Sequence, residues 1–261
     1  MAGRPRVVVH RDKALLAEAS AARLAIAVLD AQAARGEADV VLTGGSMGSA
    51  ILEALGRSPL REAVEWSAVN VWWGDERFLP TGDPDRNETQ AREALLDGLP
   101  LDPARVHPMA GPDTCGSPEE SAERYAAALA QGSGAARRSG SARRSGAPGD
   151  VPAFDVVMLG VGPDAHIASL FPGHEALSAT GSTVGVHGSP KPPPERVSLT
   201  FEALQRGAQV WFLVAGADKA DAVRRALGGA SRQEAPAGSV HGTSATLWLL
   251  DADAAGELPG H

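Results

Sequence analysis

Short apolar runs alternate along this chain with stretches whose apolar positions recur at helical spacing. That alternation predicts βα units built around a mostly parallel sheet. The apolar runs place strands at residues 7–9, 38–42, 69–73, 154–159, 196–200, 209–214 and 245–250. Helices are predicted over 12–35, from the Thr43-Gly44-Gly45-Ser46 loop to about 55, over 87–96, over 118–130 and over 218–227. Punctuation supports several of these boundaries. Gly36 is a good helix stop because glycine accepts a positive φ. Asn87 can cap the helix that begins there. Ser117, followed by Pro118 and Glu120, forms a capping-box pattern. Residues 131–150 read as a low-complexity insert that contains R-R-S-G twice, and a surface loop that buries little is expected there.

Size and composition narrow the class. At 261 residues, with 43% apolar and 21% charged residues, the chain can bury a sizeable core and is read as one domain spanning 1–261. A single cysteine, Cys115, rules out a disulfide framework. No apolar run suits a signal peptide or a membrane helix, so a cytoplasmic protein without a membrane partner is expected. The net charge of −8 argues against nucleic acid, because the long-range field repels phosphate polymers. A small phosphate can still be held by local cations and backbone amides. Only Lys13, Lys191 and Lys219 are lysines, so a lysine within an unusual segment draws attention.

Open α/β sheets bind ligands beyond the carboxyl ends of their strands, and three segments fall there. Gly44, Gly45 and Ser46 sit between a strand and a helix, where exposed N–H groups and the helix N-terminus make an anion site. Trp73-Gly74-Asp75-Glu76-Arg77 offers Arg77 as a clamp for an anion and Asp75 as a partner for a hydroxyl or a base. Gly160-Val161-Gly162-Pro163-Asp164-Ala165-His166 is read as a strand-to-helix turn. It fits G-x-G-x-x-A, but Pro163 lacks an amide, the segment lies late in the chain, and no acid stands near Ser182 for a ribose. His166, two residues from Asp164, is instead an acid/base candidate, since imidazole titrates near neutral pH. A fourth segment, Ser189 to Arg196, carries four prolines and is expected to be stiff and extended, presenting Lys191 and Arg196 to an anion. No metal-ligand spacing such as H-E-x-x-H or C-x-x-C occurs.

Taken in order, V-L-T-G-G-S, W-W-G-D-E-R-F-L-P, G-V-G-P-D-A-H-I-A-S-L-F-P-G-H and S-P-K-P-P-P-E-R-V-S-L-T resemble the 6-phosphogluconolactonase family. The resemblance spans almost the whole chain, with Ala165 and Ile167 standing where the family usually has Gly and Thr. It implies hydrolysis of 6-phospho-D-glucono-1,5-lactone, a Rossmann-like three-layer fold with helices on both faces of the sheet, and no cofactor. It also implies His166 as catalytic base and Arg77 and Lys191 on the substrate's anionic groups. Either Asp164 or Asp75 is left to orient the imidazole, and the protein is expected to be a monomer or a homodimer. An amino-sugar-phosphate deaminase on the same fold is the nearest rival, but Arg77 stands where that family has a tyrosine. A non-catalytic sugar-phosphate sensor is a further rival, which should carry a basic helix-turn-helix.

Overall fold

The computed structural model describes residues 4–135 and 151–259. Its chain order is β1 (Arg6–His10), α1 (Lys13–Arg35), β2 (Ala38–Leu42), α2 (Gly45–Arg57), β3 (Val69–Trp73), β4 (Asp75–Arg77), α3 (Asn87–Ala94), α4 (Pro118–Ala135), β5 (Val156–Gly160), β6 (Thr183–Val186), β7 (Arg196–Leu199), α5 (Phe201–Leu204), β8 (Gln209–Val214), α6 (Ala220–Leu227) and β9 (Ala245–Asp251). Six parallel strands form one sheet in the order β1-β9-β8-β5-β2-β3. After β2 the chain moves outward to β3, and then returns to place β5 on the other side of β2. The carboxyl ends of β2 and β5 therefore flank a topological switch point, where α/β sheets open a crevice.

Alternation along the strands divides the core. Val41, Trp72, Val157, Leu159 and Phe212 point to one face, with Tyr125 and Leu129 of α4 and Val223 of α6. Val40, Leu42, Trp73, Met158 and Leu213 point to the other, with Leu24 and Val28 of α1 and Ile51 and Leu55 of α2. Each large apolar side chain so buried contributes roughly 1.5–3 kcal/mol of transfer free energy. The caps that bound α1 follow the sequence: Asp12 accepts the Leu15 N–H at 2.9 Å, and Gly36 adopts φ 80°.

Several expectations need correction. β4 and β6 join β7 in a separate antiparallel sheet that strands of three and four residues did not announce. The turn at His166 does not lead into a helix, because Ala165 (φ 69°) and Ala168 (φ 47°) are left-handed and an isolated Ile167–Leu170 bridge follows. Asn87 is the first residue of α3 rather than its cap. Ser117 does accept from the Glu120 N–H, but the Glu120 carboxylate reaches back to Gly116. The Pro-rich segment is a closed loop, not an extended strut, since the Ser189 N–H donates to the Pro194 carbonyl at 3.0 Å. Helix α4 continues to Ala135, where Gly132 lets the helix lie against the Trp72 ring, so residues 131–135 are helical. The R-R-S-G repeats lie outside the described residues.

One core contact predicts acid sensitivity. His107 stacks on Trp72 with centroids 3.7 Å apart, and its Nε2 is buried without a partner. Burial first, and the Arg105 charge second, lower its pKa to about 4. A base whose pKa falls on folding stays neutral in the fold while the unfolded chain takes up the proton. Its stability contribution is thus intact above about pH 6.5 and drains as pH falls toward 4, by at most about 3 kcal/mol. His107→Phe keeps the stack and removes the titration. The difference in urea stability between the two proteins should grow from pH 7 to pH 4.5; parallel curves would refute the assignment.

Candidate active site

A cleft of about 220 Å³ opens over the carboxyl ends of β2, β5 and β8, and β4 and the Pro-rich loop close its sides. Gly44, Gly45, Ser46, Asp75, Arg77, His166, Lys191 and Arg196 line it together. Asp164 stands just behind, in contact with His166.

The anion loop forms because β2 ends at Leu42 and α2 starts three residues later. Gly44 caps α2 with no side-chain hydrogen bond, so the first-turn amides of Gly45, Ser46 and Met47 remain for a ligand. The Gly160 N–H donates to Thr43 Oγ1 at 3.1 Å and ties this loop to the end of β5.

The imidazole of His166 is fixed by a carboxylate and a ring. Its Nδ1 lies 2.5 Å from Asp164 Oδ1, and its face meets Phe171 with centroids 4.5 Å apart. A nitrogen that close to a carboxylate carries the proton, which leaves Nε2 as the basic atom. Lys191 Nζ lies 3.4 Å from Nδ1 and 3.7 Å from Asp164 Oδ1, so it acts on the pair as a neighbouring cation. Burial would raise the Asp164 pKa, but the hydrogen bond from His166 and the two neighbouring charges hold it down to about 2. The turn is tight enough to require Gly162, where a Cβ would lie 2.1 Å from His166 Nδ1 and 2.4 Å from Asp164 Oδ1. At Ala165 the backbone is left-handed (φ 69°), a conformation that glycine adopts without the strain a Cβ brings.

Asp75 is held elsewhere. Its Oδ2 accepts from Ser169 Oγ at 2.7 Å and lies 4.0 Å from Arg196, while Oδ1 accepts from Asn87 Nδ2 at 3.3 Å. The structure thus brings Asp164, not Asp75, to the imidazole. Glu76 points away from the cleft and is 2% exposed, accepting the N–H groups of Arg77, Asn87 and Glu88. Burial pushes its pKa up to about 7, against the charge of Arg86 and those three donors. Arg196 is only 6% exposed, and its guanidinium donates to the carbonyls of Lys191, Pro192 and Pro193. It braces the loop that carries Lys191.

Two wall residues escaped the sequence reading. Lys219 reaches the cleft from the turn after β8, with Nζ donating to the Ala215 carbonyl at 3.2 Å. Its rarity as a lysine was one signal, and its G-A-D-K-A stretch, which the family resemblance also covers, was the other. Asn87 enters from α3 and looked like a cap. Among the described residues neither Lys219 nor Arg77 has a carboxylate within ion-pair distance, whereas Lys191 and Arg196 each do.

Unpaired cations, free helix amides and a carboxylate-oriented imidazole in one switch-point crevice define an α/β protein built for acid/base chemistry on a small anion. Comparison with known proteins narrows this. Residues 11–248 match the family model described as glucosamine-6-phosphate isomerases/6-phosphogluconolactonase, and the chain belongs to that family. It is 55% identical to a 6-phosphogluconolactonase of Streptomyces coelicolor, over 99% of this chain and 97% of the relative. It is 46% identical to that of Mycobacterium tuberculosis, over 97% and 98%. The solved 6-phosphogluconolactonase of Trypanosoma brucei superposes with a TM-score of 0.79 at 26% identity, covering 97% of this chain and 98% of that one.

Proposed function

We propose that this protein hydrolyses 6-phospho-D-glucono-1,5-lactone to 6-phosphogluconate, the lactonase step of the pentose phosphate pathway, with the whole chain acting as one cytoplasmic domain and no cofactor. The observation that carries this reading is the His166–Asp164 pair, set in a cleft whose other wall offers two unpaired cations and the amides of α2. Sequence identity to named lactonases over nearly the full length supports the choice of substrate. No described helix is long and apolar enough to cross a membrane.

In this mechanism the phosphate occupies the first-turn amides of Gly45, Ser46 and Met47 with Arg77 and Lys219, and the lactone carbonyl faces His166. His166 Nε2 takes a proton from a water as its oxygen bonds to C1. The electron pair of the carbonyl moves onto oxygen, where the Lys191 ammonium stabilises the negative charge. Collapse breaks the bond from C1 to the ring oxygen, and the imidazolium returns its proton to that oxygen. Asp164 keeps the proton on Nδ1 throughout, and Arg196 holds the loop of Lys191. Asp75 accepts a sugar hydroxyl in this arrangement.

Lys219→Met should raise KM by about tenfold or more while kcat changes little, because a phosphate contact remote from C1 binds substrate and transition state alike. An equal fall in kcat would move Lys219 to the reacting end. The function itself is tested by titrating acid release from the lactone beside the uncatalysed control, with glucosamine 6-phosphate assayed for ammonia in parallel. Lactone hydrolysis well above the spontaneous rate, without ammonia, is expected. Ammonia release would replace the lactonase reading with the deaminase one.

A further inference from the structure

Asn87 is 4% exposed, yet it sits in the wall of the cleft at the start of α3. An asparagine at a helix start normally caps the helix. Here the capping is done by Glu76, whose carboxylate accepts the N–H groups of Asn87 and Glu88 at 2.7 and 2.9 Å. The side-chain amide of Asn87 is released for other contacts. Its Nδ2 donates to the Asp75 carbonyl at 2.8 Å and to Asp75 Oδ1 at 3.3 Å, and its Oδ1 accepts from Arg77 Nη1 at 2.7 Å. Arg77 can only donate and a carbonyl can only accept, so the partners dictate which way the amide faces.

The same amide lies against the anion loop. A Cβ on Gly44 would come within 1.8 Å of Asn87 Oδ1, although Gly44 has an ordinary φ of −80°. Glycine is therefore required there by Asn87 and not by backbone conformation. Arg77 uses Nη1 on Asn87 and the Asp85 carbonyl, and the rest of its fork is left for a ligand among the described residues.

We propose that Asn87 is a positioning residue that aims the Arg77 guanidinium at the ligand's phosphate and keeps the anion loop in register with it. It thereby sets the preference for phosphorylated over unphosphorylated ligands. The choice of sugar rests on the lactonase reading; the anion chemistry does not.

The test is a double-mutant cycle of Asn87→Ala and Arg77→Ala, read by calorimetric binding of 6-phosphogluconate and of inorganic phosphate. Arg77→Ala is expected to weaken binding about 30-fold, as loss of a charge-assisted contact does, and Asn87→Ala about 10-fold. The double variant should bind within about threefold of Arg77→Ala, because coupled residues are not additive. Losses that multiply, or an Asn87→Ala protein that binds both anions like wild type, would overturn the proposal. A purely structural role would lower the melting temperature equally in both backgrounds and leave the phosphate affinity of folded protein unchanged. Gly44→Ala gives an independent reading: it should weaken phosphate binding in wild type and much less in Asn87→Ala, where the space is vacated. Lactone turnover by the wild type judges the lactonase reading separately, since phosphate binding does not depend on it.

Discussion

Replacing His166 by alanine should lower kcat for lactone hydrolysis by about 10²–10⁴-fold while KM stays within a few-fold, the range general acid/base groups supply. The imidazole touches no phosphate-binding group: its ring partners are Asp164, Lys191 and Phe171. Its loss removes the acceptor for water's proton and the donor for the ring oxygen, and leaves the anion loop and Lys219 in place. The side chain is 16% exposed at a cleft wall, so truncation leaves a water-filled gap and not a buried cavity, and the fold should persist. The spontaneous opening of the lactone must be subtracted, and circular dichroism should be unchanged. Near-normal turnover above that background would remove His166 from the reaction.

Gly162→Ala should be almost as damaging, with kcat falling about 100-fold or more, because misplacement of reacting groups by about 1 Å has effects of that size. The added methyl would lie 2.1 Å from His166 Nδ1, 2.2 Å from its Cε1 and 2.4 Å from Asp164 Oδ1, far inside contact distance. The three heavy atoms nearest to it all belong to His166 and Asp164, so the first clash falls on that pair. Gly162 also has no positive φ, and alanine is conformationally permitted there. Displacing Asp164 from the imidazole also releases the Nδ1 proton, so the active tautomer is no longer held. The expected signature is a loss in kcat with a melting temperature close to wild type. Full activity in Gly162→Ala would show that the close pairing of His166 and Asp164 is dispensable.

The two variants bear on different links of the same chain of cause. His166→Ala asks whether the imidazole does chemistry. Gly162→Ala asks whether the backbone that presents it matters as much as the residue itself. Asp164 adds a pH signature. Its folded pKa is depressed to about 2, so its contribution to stability is present above the ordinary carboxylate range and is lost as pH falls through about 4 toward 2. Its side chain is 35% exposed, and solvent screening keeps that contribution small.

The sequence determined the elements whose signals are local. The apolar runs gave β2, β3 and β8 to the residue and β5 and β9 to within two, since a strand buried on both faces reads as a near-continuous apolar run. Asp12 and Gly36 bounded α1 because caps act within one turn. Gly44, Gly45, Ser46, Arg77 and His166 were legible as chemistry because each follows a predicted strand end, and topology gathers strand ends at one crevice; Lys191 was legible from its Pro-rich segment.

The tertiary structure alone decided what each of those groups touches. β4 is three charged residues and β6 is four residues with a glycine inside, and they exist because β7 lies between them and supplies their hydrogen bonds. Glu76 caps α3 from a strand eleven residues earlier, which freed Asn87 from the role its position suggested. Asp164 rather than Asp75 holds the imidazole, since Ser169 and Asn87 had already taken Asp75. Arg196, at the cleft wall, was drawn to its own loop for a similar reason: the carbonyls of Lys191, Pro192 and Pro193 lay within reach of one buried guanidinium. Residue type and spacing fix which groups arrive at the crevice. Competition among long-range partners, in a low-dielectric interior where every buried donor and acceptor must be satisfied, fixes which of them remain free to act on a ligand.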